Sequence, residues 1–175
     1  MKAFEMRVLG LRRSSDEALR KELGIDWIGG KDDLAYLLSE SDFLIVTIPL
    51  TPETRGMMGE KEIASMKDGA FLVNVSRGAI IQEKPLYDAL KNGKLSGAAL
   101  DVWWNDHWWD PVWNPMGKGP SNFPFWELPN VICTPHSIVS TDSSSDASMK
   151  IMIENILRIR DGKLPINQVD KTLRY

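Results

Sequence analysis

The chain has 175 residues, of which 43% are hydrophobic and 26% charged, a composition typical of a soluble globular protein with one full core. Its formal net charge of -3 gives no electrostatic reason to expect a nucleic-acid partner. The lone cysteine, Cys133, cannot form an internal disulfide or a cysteine-based zinc site, and we expect no metal. Neither an apolar signal core nor an apolar run of membrane-spanning length occurs, so we expect a soluble, cytoplasmic protein without a membrane partner.

Short apolar runs alternate with segments of helical periodicity along the chain. Strands that alternate with helices predict an α/β fold with a doubly wound, Rossmann-like parallel sheet. The run 43–48 is apolar except for one threonine, as expected of a strand that is covered on both faces. The predicted strands are 7–11, 26–28, 43–48, 70–75, 96–102 and 131–134, and the predicted helices are 17–23, 31–38, 60–66, 83–90 and 143–160.

Four candidate site residues follow the predicted strands, namely Pro49, Arg77, Asp101 and His136. Ligands of doubly wound sheets bind beyond the carboxyl ends of the strands, so these positions predict one site at one edge. An arginine at the end of a buried strand loses hydration, and Arg77 therefore predicts a carboxylate or phosphate partner. An internal or surface salt bridge is the alternative for Arg77.

The segment 103–127 has no periodicity and is rich in Trp, Asn, Pro and Gly, which indicates an irregular excursion. Five of the seven tryptophans lie within eleven residues of this segment. Such clusters are usually packing anchors, because each ring buries a large area. A second interpretation is that some of the rings line a substrate pocket or a subunit contact.

The sequence resembles the NAD(P)-dependent D-isomer-specific 2-hydroxyacid dehydrogenases, which include glyoxylate and hydroxypyruvate reductases and phosphoglycerate dehydrogenase. The similarity lies in the stretches 48–54, 71–78, 90–102 and 129–136, whose order and spacing are specific to that family. The resemblance implies that residues 1–140 are part of a dinucleotide-binding domain. It also implies that 141–175 are a C-terminal helix and a tail that would return to a substrate domain.

The resemblance assigns the chemistry to three residues. It implies that Arg77 binds the carboxylate of a small 2-oxo acid and that His136 is the general acid and base. A capping or merely packed histidine is the alternative for His136. Asp106 stands where the family has a glutamate that raises the pKa of the histidine, and its side chain is one methylene shorter. Glu127 and Asp110 are alternative positions for this carboxylate, and His107 is interpreted as a loop residue rather than a second base.

The cofactor is expected to be NADP or NAD, with NADP favoured. After the strand that ends at Leu11, NAD-dependent members usually carry an acidic residue, whereas this chain has Arg12, Arg13 and Ser14, and the two arginines favour a 2'-phosphate. A solvated pair of arginines at a helix start is the alternative. The resemblance further implies that Pro49 and Thr54 lie near the adenine, that Val75 and Ser76 lie beside the nicotinamide, and that Asp101 binds its carboxamide or merely caps its strand.

The Gly-rich phosphate loop, G-x-G-x-x-G, does not occur in the sequence, and residues 2–6 match the end of the helix that follows it in the family. The first, central strand of the order 3-2-1-4-5-6 is therefore expected to be absent. Either another chain or segment supplies a strand there or the sheet rearranges, which predicts a homo-oligomer or a complementing chain. We expect the 175 residues alone to be inactive. A non-catalytic, nucleotide-sensing interaction protein, similar to corepressors on this fold, is the alternative.

Overall fold

The computed structural model describes residues 2–105, 116–137, 142–169 and 171. All six predicted strands and all five predicted helices are confirmed, with ends that shift by a few residues. Residues Lys31–Asp33 form a 3-10 turn before the second helix rather than its first turn. The strands are β1 Leu9–Leu11, β2 Trp27–Gly29, β3 Phe43–Val46, β4 Ala70–Asn74, β5 Leu95–Leu100 and β6 Val131–Cys133, and the helices are α1 Glu17–Leu23, α2 Leu34–Glu40, α3 Glu60–Ser65, α4 Glu83–Lys91 and α5 Asp142–Arg160.

The strands form two parallel sheets, one of β1 and β2 and one in the order β3-β4-β5-β6. Arg7, just before β1, pairs with Glu40, just before β3, at 2.7 Å. The two sheets therefore start at the same end of the molecule. A cavity of about 520 Å³ separates β1 from β3. The α/β architecture with parallel strands is confirmed, and the sheet does not rearrange to pair β1 with β3.

The core lies between the four-stranded sheet and the helices α2, α3 and α4, which contact one another in sequence. Leu72, Leu95 and Leu100 point from the sheet into this layer and are at most 1% exposed. Alternate positions of a strand face opposite sides, so the hydrophobic run of β3 divides between two environments. The inward-facing members of this core include Leu38, Leu44, Val46, Ile63, Leu86 and Leu90.

The opposite face of the same sheet is exposed and apolar, contrary to the expectation that 43–48 is covered on both faces. Phe43 is 50% exposed and stacks on Phe71, with ring centroids 5.2 Å apart. Ile45 is 42% exposed and Ile132, on β6, is 67% exposed. Side chains of alternating strand positions reach this face, and the hydrophobic run alone could not show that only one face is packed.

Helix α5 carries apolar residues that remain exposed, including Met149, Met152, Ile153 and Ile156. Tertiary packing of an apolar face supplies most of the stability of a protein helix, so this face is suited to a further packing partner. The boundary predicted near residue 140 stays a prediction. In the parts of the chain that are described, no helix combines the length and apolarity needed to cross a bilayer.

Candidate active site at the carboxyl edge of the parallel strands

Pro49, Arg77, Asp101 and His136 follow β3, β4, β5 and β6 respectively. Because these four strands are parallel and adjacent, all four residues lie at one edge of the sheet. Arg12, Arg13 and Ser14 follow β1 at the corresponding edge of the two-stranded sheet. The structure therefore brings the candidate residues of the described chain to the edge at which doubly wound sheets bind ligands.

Asn74, the last residue of β4, shapes the turn that presents Arg77. Its side chain is 1% exposed, its Nδ2 donates to the Arg77 carbonyl at 3.0 Å, and its Oδ1 accepts from the Ser76 N–H at 3.1 Å. The Ser76 hydroxyl donates to the carbonyl of Ile48, which ties this turn to the end of β3. Sequence reasoning assigned no role to Asn74, although a lone amide in an apolar strand is a signal of a satisfied buried polar group.

Gly78 lies against the chain that leaves β5. A Cβ at this position would stand 2.3 Å from the backbone carbon and 2.4 Å from the backbone oxygen of Trp103. Only glycine permits so close an approach. The Arg77 turn and the segment after Asp101 are thereby packed together, which sequence reasoning also did not identify.

Arg77 itself is exposed, and its Nη1 donates to the Ser76 carbonyl at 2.7 Å. The expectation that burial forces an anion onto this guanidinium is therefore wrong, because water can solvate it in the chain alone. The side chain emerges from a turn whose backbone is held by part-buried hydrogen bonds that involve Asn74 and Ser76. An exposed planar guanidinium on a fixed backbone turn is suited to binding a carboxylate or phosphate from solution.

Asp101 fixes the backbone on both sides of His136. The aspartate is 4% exposed, and its Oδ1 accepts from the Thr134 hydroxyl at 2.5 Å and from the Ser137 N–H at 3.0 Å. His136 has a φ of 57°, a left-handed conformation that histidine adopts more readily than most residues. Asp101 thus acts as the strand-end cap that was the alternative at this position. Its contact with a nicotinamide stays a prediction.

Two tryptophans hydrogen-bond to the two segments of the site, Trp103 to the segment before His136 and Trp104 to the segment after Arg77. Trp103 is 4% exposed, and its Nε1 donates to the Thr134 carbonyl at 3.0 Å. Trp104 stacks on Phe125 with ring centroids 5.2 Å apart, and its Nε1 donates to the Ile81 carbonyl at 2.7 Å. The interpretation of the tryptophan cluster as packing anchors is confirmed for these two rings.

The residues predicted to hold the cofactor have different surroundings. Arg12, Arg13 and Ser14 are exposed, and Arg12 is 3.4 Å from the carboxylate of Asp16. The Thr54 hydroxyl donates to the Pro49 carbonyl at 2.7 Å, which fixes the loop after β3. Val75 and Ser76 are half-buried beside Arg77. The exposed arginines and serine offer donors suited to a phosphate, and Asp101 offers a buried acceptor.

Asp106, the predicted partner of His136, lies outside the described residues, as do His107, Asp110 and three tryptophans of the cluster. The alternative carboxylate, Glu127, is exposed at the end of the 3-10 turn Phe125–Glu127. Among the residues that are described, no group of three His, Cys, Asp or Glu side chains is placed to hold a metal ion. The roles of the candidate residues remain predictions.

The fold and the edge site define a dinucleotide-binding α/β unit. The sequence model described as "D-isomer specific 2-hydroxyacid dehydrogenase, NAD binding domain" matches residues 1–137. The chain belongs to this family. The match over residues 1–137 agrees with the resemblance that the sequence motifs indicate.

Comparisons with individual proteins agree with the family assignment. The chain is 36% identical over 169 residues to D-3-phosphoglycerate dehydrogenase of Methanocaldococcus jannaschii, covering 97% of this chain and 29% of that protein. It is 35% identical over 170 residues to glyoxylate reductase of Korarchaeum cryptofilum, covering 97% and 47%. A crystal structure of a D-isomer specific 2-hydroxyacid dehydrogenase from Xanthobacter autotrophicus Py2, in complex with NADPH and MES, superposes with a TM-score of 0.77 and 32% identity, covering 97% and 63%. The chain thus spans less than two thirds of each of these relatives.

Proposed function

We propose that the chain provides the cofactor-binding and catalytic residues of an oxidoreductase that interconverts a small 2-oxo acid and a D-2-hydroxy acid with NAD(P)H. The observation that carries this proposal is the edge at which Arg77, Asp101 and His136 follow adjacent parallel strands, joined through Asn74, Gly78 and Thr134. Membership of the family supports the reaction class. When bound, the nicotinamide supplies the hydride, and the protein supplies orientation, charge and the proton.

Arg77 binds the carboxylate of the 2-oxo acid and orients its carbonyl. The guanidinium is exposed above a fixed turn, so it can form two parallel hydrogen bonds with a carboxylate without rearranging its backbone. Its positive charge also stabilises negative charge that develops on the substrate oxygen. Lysine would supply the charge but not the planar pair of donors.

His136 donates the proton during reduction and accepts it during oxidation. The ordinary pKa of an imidazole lies near neutrality, which suits both directions of the transfer. The Asp101 carboxylate bonds to Thr134 and Ser137 and so restrains the backbone that carries the ring. Asp106 is the proposed carboxylate partner of His136.

NADP is the proposed cofactor over NAD. Arg12, Arg13 and Ser14 are exposed at the end of β1, where donors favour a 2'-phosphate. In a catalytically active chimera of this chain with a relative, the double substitution of Arg12 and Arg13 by alanine is expected to lower kcat/KM for NADPH. We expect kcat/KM for NADH to stay nearly unchanged. Equal losses with the two cofactors would contradict the assignment.

The test of the reaction is a chimera in which this chain replaces the matched 170 residues of the Korarchaeum cryptofilum glyoxylate reductase. We expect NADPH oxidation with glyoxylate or hydroxypyruvate, and a loss of at least about a hundredfold in kcat after His136→Asn. The control is Ser137→Ala, whose backbone N–H to Asp101 is retained. A folded chimera without turnover, or with turnover that survives His136→Asn, would contradict the proposed chemistry.

The 175 residues alone are expected to bind cofactor poorly and to lack turnover, because the sequence contains no Gly-rich loop to hold a pyrophosphate. A normal rate of NADPH oxidation by the purified chain would refute this. The second candidate is a non-catalytic, nucleotide-sensing interaction protein on the same fold. That candidate is supported instead if the chain captures a protein partner in a nucleotide-dependent manner while the chimera stays inactive.

A further inference from the structure

Glu83, the first residue of α4, carries a carboxylate to which the chemistry proposed above assigns no role. The residue is half-buried and follows the Arg77 turn along the chain. The Ser121 hydroxyl donates to its Oε1 at 2.5 Å, the Asn122 N–H donates to the same oxygen at 2.6 Å, and Asn122 Nδ2 donates to its Oε2 at 2.8 Å. Two consecutive residues of the irregular segment 103–127 are thereby bonded to the start of α4.

Ser121 and Asn122 directly follow the point at which this segment returns to its own beginning. The Asn105 N–H donates to the Pro120 carbonyl at 3.1 Å, and Asn105 Nδ2 donates to the Gly119 carbonyl at 3.3 Å. We use "neck" for Asn105 together with residues 118–122. Hydrogen bonds to a carboxylate are stronger than those between neutral groups, so Glu83 provides a strong attachment of the neck to α4.

An aromatic cluster packs beside the neck and supplies contact area rather than direction. Tyr87 of α4 contacts Phe123 and Phe125, with ring centroids 5.2 and 5.3 Å apart, and Trp104 stacks on Phe125. Apolar contact is non-directional, whereas hydrogen bonds require a defined distance and angle. The three bonds to Glu83 therefore set the position of the neck on a surface that the rings alone would leave adjustable.

The neck is joined to the candidate active site through the chain that leaves β5. Trp104, the residue before Asn105, donates from Nε1 to the Ile81 carbonyl at 2.7 Å. In the sequence, Asp106, the proposed partner of His136, directly follows Asn105. A change in the position of Asn105 therefore reaches the residue that is proposed to act on His136.

We propose that Glu83 is a positioning residue of this site, which holds the neck against the segment that follows Arg77 and thereby fixes Asn105. It acts through Asn105 rather than on the substrate. Its catalytic consequence rests on the function proposed above, whereas its effect on the neck does not. Catalytic groups that are displaced by about 1 Å can lose up to about a hundredfold in rate, so loss of the neck contacts is expected to lower kcat by about tenfold.

Two substitutions separate positioning from a purely structural role at the helix start. A glutamate in the first turn stabilises a helix through its charge, and both Glu83→Gln and Glu83→Ala remove that charge. Glutamine keeps an acceptor for Ser121 and the Asn122 N–H, and its amide can donate to the Asn122 side chain once that amide turns over. Positioning is therefore retained in Glu83→Gln and lost in Glu83→Ala. Asp88→Ala is the matched control, because Asp88 is a carboxylate of the same helix that pairs with Lys84 instead.

The first measurement is amide hydrogen exchange by NMR in the purified 175-residue chain. We expect the Asn105 amide to exchange at least about tenfold faster in Glu83→Ala, because hydrogen bonds to a charged group are lost, and less than about threefold faster in Glu83→Gln and Asp88→Ala. The Leu72 amide, in the centre of the larger sheet, reports global stability, and the change at Asn105 is measured relative to it. Exchange at Asn105 that is equal in Glu83→Gln and Glu83→Ala would overturn the proposal.

The second measurement is the kinetics of the same variants in the Korarchaeum cryptofilum glyoxylate reductase chimera. We expect Glu83→Ala to lower kcat with glyoxylate by about tenfold while KM for NADPH changes by less than about twofold. Glu83→Gln and Asp88→Ala should stay within about threefold of the wild type. Asn122→Ala should lower kcat by about threefold alone but add nothing to Glu83→Ala, because its side-chain bond belongs to the same contact.

The two measurements distinguish failure of this proposal from failure of the proposed function. A wild-type chimera without turnover would contradict the reaction class, and exchange at Asn105 would still decide whether Glu83 positions the neck. An active chimera whose kcat is unchanged in Glu83→Ala, or in which the losses from Glu83→Ala and Asn122→Ala are additive, would overturn the positioning role.

Discussion

The two sheets of this chain obey the same rules of strand pairing but differ in how well they are buried. In the four-stranded sheet, Leu72 and Leu95 are 0% exposed beneath a layer of three helices. In the two-stranded sheet, every residue except Gly29 keeps intermediate exposure. Leu9, Leu11 and Trp27 of the smaller sheet pack against the core but remain partly exposed. The candidate catalytic residues thus follow well-buried strands, while the proposed 2'-phosphate site follows a less buried one.

The largest expected difference between the regions is the cost of removing a leucine. Leu72→Ala leaves a cavity in the centre of the core and should lower the free energy of unfolding by about 3 kcal/mol. Leu11→Ala, in the half-buried strand β1, should lower it by about 1 kcal/mol or less. Chemical denaturation measures both. Equal losses would mean that the two sheets share one equally packed core.

The next effect concerns the turn that carries Arg77. Gly78→Ala places a methyl group 2.3 Å from the Trp103 backbone and should cost about 2 kcal/mol of stability, with a displaced Arg77. The matched control is Gly119→Ala, whose nearest neighbour would be 3.7 Å away. Thermal unfolding of both variants is the measurement. A Gly78→Ala variant as stable as the control would show that the two turns are not closely packed.

A smaller, pH-dependent effect is expected beside β1. Hydrogen bonds from Lys2 Nζ, foremost, and from the Val8 N–H lower the pKa of Asp26. A carboxyl whose pKa is lowered by folding stabilises the fold above its unfolded pKa, and this contribution is lost as the pH falls through the folded pKa. The Tm of the wild type should therefore fall more steeply with acidification than that of Asp26→Asn. Parallel pH curves would contradict the assigned bonds.

Much of the fold was predictable because the local sequence signals agree with the secondary structure that forms. Asp16 caps α1 by accepting from the Leu19 N–H at 2.9 Å, and Gly24 ends the helix with a φ of 62°. Such signals, with the alternation of strands and helices, give the elements and the edge at which the candidate residues meet. The hydrophobic run of β3 could not show which face is packed, because burial depends on partners distant in sequence.

The candidate site residues were predictable, but the hydrogen bonds that hold their turns were not. The motifs single out Arg77, Asp101 and His136, which all follow parallel strands. They do not reveal that Asn74 holds the Arg77 turn or that Asp101 holds the His136 turn. The exposure of Arg77 was also not predictable, since solvent access depends on how the turn after β4 leaves the sheet.

The assignment of Arg77 to the substrate carboxylate is tested most directly by the kinetics of Arg77→Gln in the glyoxylate reductase chimera. Glutamine retains hydrogen-bond donors but lacks the charge and the planar fork of a guanidinium. We predict a loss of at least about a hundredfold in kcat/KM for glyoxylate, with KM for NADPH changed by less than about threefold. Unchanged kcat/KM for glyoxylate, or a loss confined to the KM for NADPH, would contradict a role for Arg77 in binding the 2-oxo acid.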